Sequence, residues 1–309
     1  MGKVARTATT RKKLIMVSAL FTVVVLAIIG YEYRLPARLL HNFSEWRHAE
    51  KYKAQSIWLP DYRVVLEAIP VKGIEKNLSG LTWNNDTKTL FAVINNPVQI
   101  AELSTTGELL RRIDLSGFGD PEAIEYIGDN RYIVADERGQ KIILVFIDSE
   151  TREIDSQGLP MLTIGLDLTE NKGIEGLAWD FSNKKLYAAR ERDPVHIYEI
   201  IGFPQTPKTV LDIEIVNDRE RDRRLFVRDV SSLDFNQEYQ HLLVLSDESR
   251  IVIEVDKKGR PISSLSLIAG QGLRRSVPQA EGIAMDDRQN LYLVSEPNLF
   301  YVFQKKSDQ

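Results

Sequence analysis

Acids recur at fixed places in this sequence. Residues 175–192 read EGLAWDFSNKKLYAARER, in which Glu175 opens an apolar run and Glu191 follows the end of a second one, LYAAR. Four other stretches repeat the pattern: EGIAMDDRQNLYLVSE (281–296), EAIEYIGDNRYIVADE (122–137), SSLDFNQEYQHLLVLSDE (231–248) and SGLTWNNDTKTLFAVIN (79–95). Aligned, the opening positions are Ser79, Glu122, Glu175, Ser231 and Glu281, and the closing positions Asn95, Glu137, Glu191, Glu248 and Glu296. The start of one strand lies beside the end of its antiparallel neighbour, so each pair sits at one end of a hairpin. Brought to one opening, the seven carboxylates of these columns would repel strongly and could not all stay ionised and unpaired. A shared cation, arginine partners or bound protons would relieve them. Glu122, Glu175 and Glu281 lead as ligands for a hard divalent ion such as calcium, which takes six to eight oxygens. Asn95, Glu191 and Glu296 come next, and Ser79, Glu137, Ser231 and Glu248 complete the mouth. Arg138, Arg190 and Arg192 flank the second column, and Arg274 and Arg275 precede the last repeat, so mutual neutralisation is the competing reading.

The elements that must gather these acids follow from the spacing. Successive hairpins start 43, 53, 56 and 50 residues apart, close to the length of a four-stranded propeller blade. Strand-like runs follow each hairpin, such as VQIAEL and LLRRIDL after the first and IVIEVD and PISSLSLI after the fourth, separated by turn residues. The last repeat is one strand short, while YRVVLEAI (62–69) precedes the first hairpin. Pairing the two ends closes the ring and covers an exposed edge. The expected fold is all-β: a five-bladed β-propeller of four-stranded antiparallel blades over residues 61–305, with the first strand of each blade lining the axis. Gly80, Ala123, Gly176, Ser232 and Gly282 suit a crowded axis. Trp83, Tyr126, Trp179, Phe235 and Met285 read as inter-blade core rather than a ligand cage. The charged segment 217–228 reads as an exposed connection.

The N-terminus differs in composition. Residues 1–53 carry ten Lys/Arg against three Asp/Glu, leaving the rest of a chain of net charge −4 strongly acidic. An acidic globular part argues against nucleic acid as a partner. Arg11, Lys12 and Lys13 precede the uncharged run LIMVSALFTVVVLAIIG (14–30), near the minimum for a membrane span. This predicts a basic cytoplasmic tail (1–13), a transmembrane signal anchor (14–31), a juxtamembrane stalk (32–60) carrying Trp46 and Trp58, and a propeller in the periplasm, tied to the inner membrane. There are no cysteines, which removes disulfides and thiolate chemistry. His41, His48, His196 and His241 all fall away from the expected mouth, so histidine-based catalysis has no support. Asp148, Asp180, Asp234 and Asp256 read as solvated turn acids.

The basic-then-apolar N-terminus, the repeated E-G-[IL]-A hairpins ending in S-E or D-E, and GIEGLAWD resemble the SdiA-regulated (YjiK/CarP-like) bacterial family across about residues 60–305. The resemblance implies a β-propeller, an envelope location and a link to calcium response, with Glu122, Glu175 and Glu281 where related propellers place metal ligands. Ser79 and Ser231 depart from glutamate in that column. The reading is therefore a membrane-anchored propeller that binds a divalent cation and serves calcium response or envelope signalling, with a protein partner left unidentified. The alternative is a metal-dependent hydrolase (esterase, lactonase or phytase-like phosphatase) using the same acids.

Overall fold

A computed structural model of the chain describes residues 2–32, 34–165, 173–192, 194–204, 213–270 and 272–306. Three helices open it: α1 (Gly2–Glu32), α2 (Leu35–Arg47) and α3 (Ala49–Lys53). Strand β1 (Tyr62–Pro70) follows. The first blade holds β2 (Leu78–Asn84), β3 (Thr89–Asn95), β4 (Val98–Leu103) and β5 (Leu109–Ser116). The second holds β6 (Pro121–Tyr126), β7 (Arg131–Asp136), β8 (Lys141–Phe146) and, after the short β9 (Glu153–Asp155), β10 (Met161–Thr163). The third runs β11 (Ile174–Asp180), β12 (Lys185–Arg190), β13 (His196–Ile201) and β14 (Glu214–Asn217). After helix α4 (Arg219–Arg224), the fourth runs β15 (Ser232–Asn236), β16 (His241–Ser246), β17 (Ile251–Val255) and β18 (Pro261–Ser266). The last holds β19 (Ala280–Met285), β20 (Leu291–Ser295) and β21 (Leu299–Lys305).

The five blades and their closure agree with the sequence reading. β1 pairs antiparallel with β21, Tyr62 opposite Lys305, and so supplies the fourth strand of the last blade. One addition was not foreseen: β9 adds to the first blade as a parallel fifth strand beside β5. Five apolar clusters fill the spaces between successive blades, including one that joins the last blade to the first. Leu81, Ile124, Leu177, Leu233 and Ile283 are all buried there. Local turn chemistry makes the hairpins. Asn84, Asp180, Asn236 and Asp286 accept from backbone N–H groups two to four residues on, which fixes a tight reversal between first and second strands.

The axis is closely packed. A Cβ on Gly80, at φ +39°, would lie 2.7 Å from the Glu122 carbonyl oxygen and 2.9 Å from Ala123 Cα. Backbone cannot yield as a flexible side chain can. Gly80→Ala is expected to cost about 1–3 kcal/mol in urea unfolding. Unchanged stability would show that the inner strands do not meet this closely.

Two expectations are corrected. The transmembrane anchor over 14–31, and with it the single-pass inner-membrane placement and its periplasmic domain, is overturned: among the described residues no helix is long and apolar enough to cross a membrane. The uncharged run within α1 falls short of the roughly 20 apolar residues a span takes, and Ser18, Thr22 and Gly30 dilute it. The segment 217–228 is not simply exposed. It contains α4, where Arg221 is buried and pairs with Glu199 at 2.7 Å and Asp222 at 3.1 Å, and Leu225, Phe226 and Val227 enter the core. Helix α2 also lies on the propeller: Glu45 accepts from the Ser264 N–H at 2.7 Å, and the His41 ring packs 4.7 Å from Phe226. Trp58 is buried, whereas Trp46 is exposed.

Candidate metal centre at the channel mouth

The hairpins carry their acids to one end of the axis because the first and second strands run antiparallel throughout. Bulges fall on the opening glutamates Glu122, Glu175 and Glu281 of β6, β11 and β19, and on Gly80, just after Ser79, in β2. A bulge re-aims a side chain, here at the point where each strand enters the ring. Glu122, Glu175 and Glu281 are each only partly exposed. Burial is the main force on all three and pushes their carboxyls up, to about 7 for Glu122, about 10 for Glu175 and about 8 for Glu281. Neighbouring charge adds to it. Glu175 feels Glu191, Glu281, Glu122 and Glu137, and Glu281 feels Glu122, Asp247 and Glu296. Glu191 in turn feels Glu137 and Glu248, so the seven carboxylates form one interacting set.

The set divides into two halves. On one side arginine neutralises the acids. Arg192 lies 3.2 Å from Glu191 and 2.6 Å from Glu248, and Arg228 lies 3.3 Å from Glu248. Arg274, expected near the mouth, instead pairs with Glu67 of β1 at 2.9 Å. On the other side, among the described residues, no cationic side chain pairs with Glu122, Glu175 or Glu281. There the carboxylate oxygens of Asp120, Glu122 and Glu137 come within 4.8 Å of one another. The exposed Arg138 reaches Asp120 only at 3.5 Å.

Asn95 completes this side. Its Nδ2 donates to Glu122 Oε1 at 2.8 Å, while its Oδ1 is buried without a hydrogen-bond partner. Such an oxygen costs free energy unless something binds it. Ser79 does not offer its hydroxyl freely, because Oγ donates to the Glu122 carbonyl at 3.1 Å. Ser231 Oγ accepts from the Asp247 N–H at 3.2 Å. Glu296 is partly exposed, and burial pushes its carboxyl up against the smaller downward pull of Lys76. An orphaned amide oxygen beside three clustered carboxylates is the donor set a hard divalent cation takes.

Two site residues were missed in the sequence. Asp120 supplies the third clustered carboxylate, and Asp136 holds it in place. The Asp136 carboxylate accepts from the N–H groups of Gly119 at 3.1 Å and Asp120 at 2.7 Å. A signal existed. Two residues before each opening position stand Asn77, Asp120, Gly173, Asp229 and Gln279, a mostly polar column. Asp229, which shares the column of Asp120, makes the tie in the opposite sense, accepting from the N–H groups of Asp247 and Glu248.

Three solved structures are similar in arrangement. A chain of a nidogen/laminin complex is 17% identical over 72% of this chain and 73% of its own, with a TM-score of 0.47. A luciferin-regenerating enzyme is 14% identical over 78% and 94%, with a TM-score of 0.47. A streptogramin B lyase is 8% identical over 79% and 98%, with a TM-score of 0.44. Likenesses this distant carry no argument about what the chain does. Residues 54–304, most of the chain and nearly all of its propeller, match the family described as SdiA-regulated, and the chain belongs to that family.

Proposed function

We propose that the propeller binds a divalent cation, calcium, at the side of its channel mouth where arginine reaches only Asp120, and that this binding is its part in a calcium response. The observation that carries the reading is the cluster of Asp120, Glu122 and Glu137, with Asn95 Oδ1 unpartnered beside it. Asp120, Glu122, Glu137 and Asn95 would hold the ion. Glu175 and Glu281 would add charge from the axis. Ion binding would favour the ionised carboxylates that the bare mouth disfavours.

The test is calorimetric titration of the full chain with calcium chloride and magnesium chloride. Calcium is expected to bind at micromolar to millimolar concentration, and Glu122→Gln to weaken it at least tenfold. No calcium heat at millimolar ion would sink the proposal. The hydrolase alternative gains no histidine at the mouth among the described residues: His196 bonds Asp222 and His241 bonds Glu254, both away from the axis.

A further inference from the structure

At the other end of the axis the inner strands open into a cavity of about 510 Å³. Thr82, Glu125 and Asp234 line it, each the fourth residue of its repeat, where the remaining blades have Ala178 and Ala284. Trp83, Phe181 and Phe235 contribute aromatic surface. The aromatic column expected to be core alone therefore also faces a cavity. Asp234, expected in a turn, lies within β15 opposite Leu243.

Polar groups at the cavity rim are satisfied. Asp287 pairs with Lys88 at 2.9 Å, Asp86 accepts from the Tyr126 hydroxyl, and Asp286 accepts from Asn290 and Tyr292. Deeper in, Glu125 accepts from Thr82 Oγ1 and from the Trp179 N–H, each at 2.9 Å. Two atoms are left over. Asp234 Oδ2 and Trp83 Nε1 are both buried without any hydrogen-bond partner. Among the described residues no lysine, arginine or histidine lines the cavity.

We propose that this cavity binds a small organic cation, a primary ammonium on an aromatic or aliphatic body, with Asp234 as its charge partner. An ammonium brings three N–H donors, which Asp234 Oδ2 and the Glu125 carboxylate can accept. The aromatic surface suits both the apolar body and the charge, since a cation is attracted to a ring face. Trp83 Nε1–H is left for an oxygen on the body. A bare calcium ion would need six to eight oxygens; the rim carboxylates of Asp86, Asp286 and Asp287 are already engaged, which leaves Asp234 and Glu125 among aromatic side chains. Burial raises Asp234 to about 7 and, with Asp234 beside it, Glu125 well above the usual carboxylate range. A buried pair of this kind gains from an incoming positive charge.

The test is calorimetric titration of the full chain with tyramine, with tyrosol, which carries a hydroxyl in place of the ammonium, and with spermidine. Tyramine is expected to bind at least tenfold more tightly than tyrosol. Asp234→Asn, which keeps the shape of the side chain, is expected to reduce tyramine affinity at least tenfold. The comparison between tyramine and tyrosol needs no variant, so a poorly folding Asp234→Asn leaves it intact. Absence of heat from both amines at millimolar concentration overturns the proposal. So does equal affinity for tyrosol, or a folded Asp234→Asn that binds tyramine as the unaltered chain does.

Discussion

Raising the pH of the cation-free protein from 5 to 9 is expected to lower its unfolding midpoint by more than about 10 °C, and millimolar calcium to restore most of the loss. Glu122, Glu281 and Glu175 hold protons up to about 7, 8 and 10 in the folded chain. In the unfolded chain a glutamate releases its proton near 4.3. The folded state therefore binds more protons than the unfolded state between these values. Stability falls as pH rises wherever that holds. The destabilisation is absent below about pH 4, grows from there, and levels off only above the folded values. A shift of one unit corresponds to about 1.4 kcal/mol, and a domain of this size loses about 2–4 °C per kcal/mol. Calcium selects the ionised acids and so raises the midpoint more at pH 9 than at pH 5. Asp234 and Glu125 contribute a slope of the same sign from the far cavity. Glu175→Gln isolates the mouth, because it removes the carboxyl that is pushed furthest. The variant should be more stable than the unaltered chain at pH 9 without calcium, and its profile flatter. A midpoint that does not move between pH 5 and 9 would mean that arginine neutralises the whole mouth, as Arg192 and Arg228 do on one side.

The blade count, the closure by β1 and both columns of acids were legible because each rests on something that repeats. A turn acceptor such as Asp180 or Asp286 recurs at one place in four of the five hairpins, and the antiparallel partner of each opening residue is then fixed. What was missed repeats only weakly: in the column of Asp120 the other blades carry one further acid, Asp229. Asp120 lies in a loop between blades and reaches Glu122 only because Asp136 ties that loop down. Asp234 and Glu125 occupy a column whose other members are Thr82, Ala178 and Ala284, so no acidic pattern marks it. A turn reading of Asp234 fails because β15 runs two residues past it. The segment 217–228 misled for a different reason. Its charge density is that of a surface, yet Arg221 is buried because Glu199 and Asp222 pair with it and the Ile197 carbonyl accepts from it. The apolar N-terminal run misled because it lies at the lower bound of length for a span, and Ser18, Thr22 and Gly30 within it reduce its hydropathy.

Replacing Glu254 by alanine is expected to be the most damaging single change in the propeller, at about 3–5 kcal/mol. Its side chain is fully buried, and four donors converge on it. Oε1 accepts from the Ile57 N–H at 3.1 Å and from His241 Nδ1 at 2.9 Å. Oε2 accepts from the Trp58 N–H at 3.3 Å and from the Ser263 hydroxyl at 2.6 Å, while Ser263 Oγ in turn accepts from the Leu59 N–H at 3.1 Å. The residues held this way lead directly into β1, the strand that completes the last blade. Alanine would strand these donors in a site without water, and each stranded donor costs about 1–3 kcal/mol. The closing strand would lose its anchor to the fourth blade while keeping its ladder to β21. Limited proteolysis should then cut first between residues 55 and 61, before any cut within the blades. Glu254→Gln keeps one carbonyl oxygen but sets an amide N–H against donors, so its loss should fall between that of alanine and none. The measurement is urea unfolding of both variants at pH 7. A loss under about 1 kcal/mol for Glu254→Ala would mean that the N-terminal segment is not tied to the fourth blade, and that the β1–β21 ladder alone closes the ring.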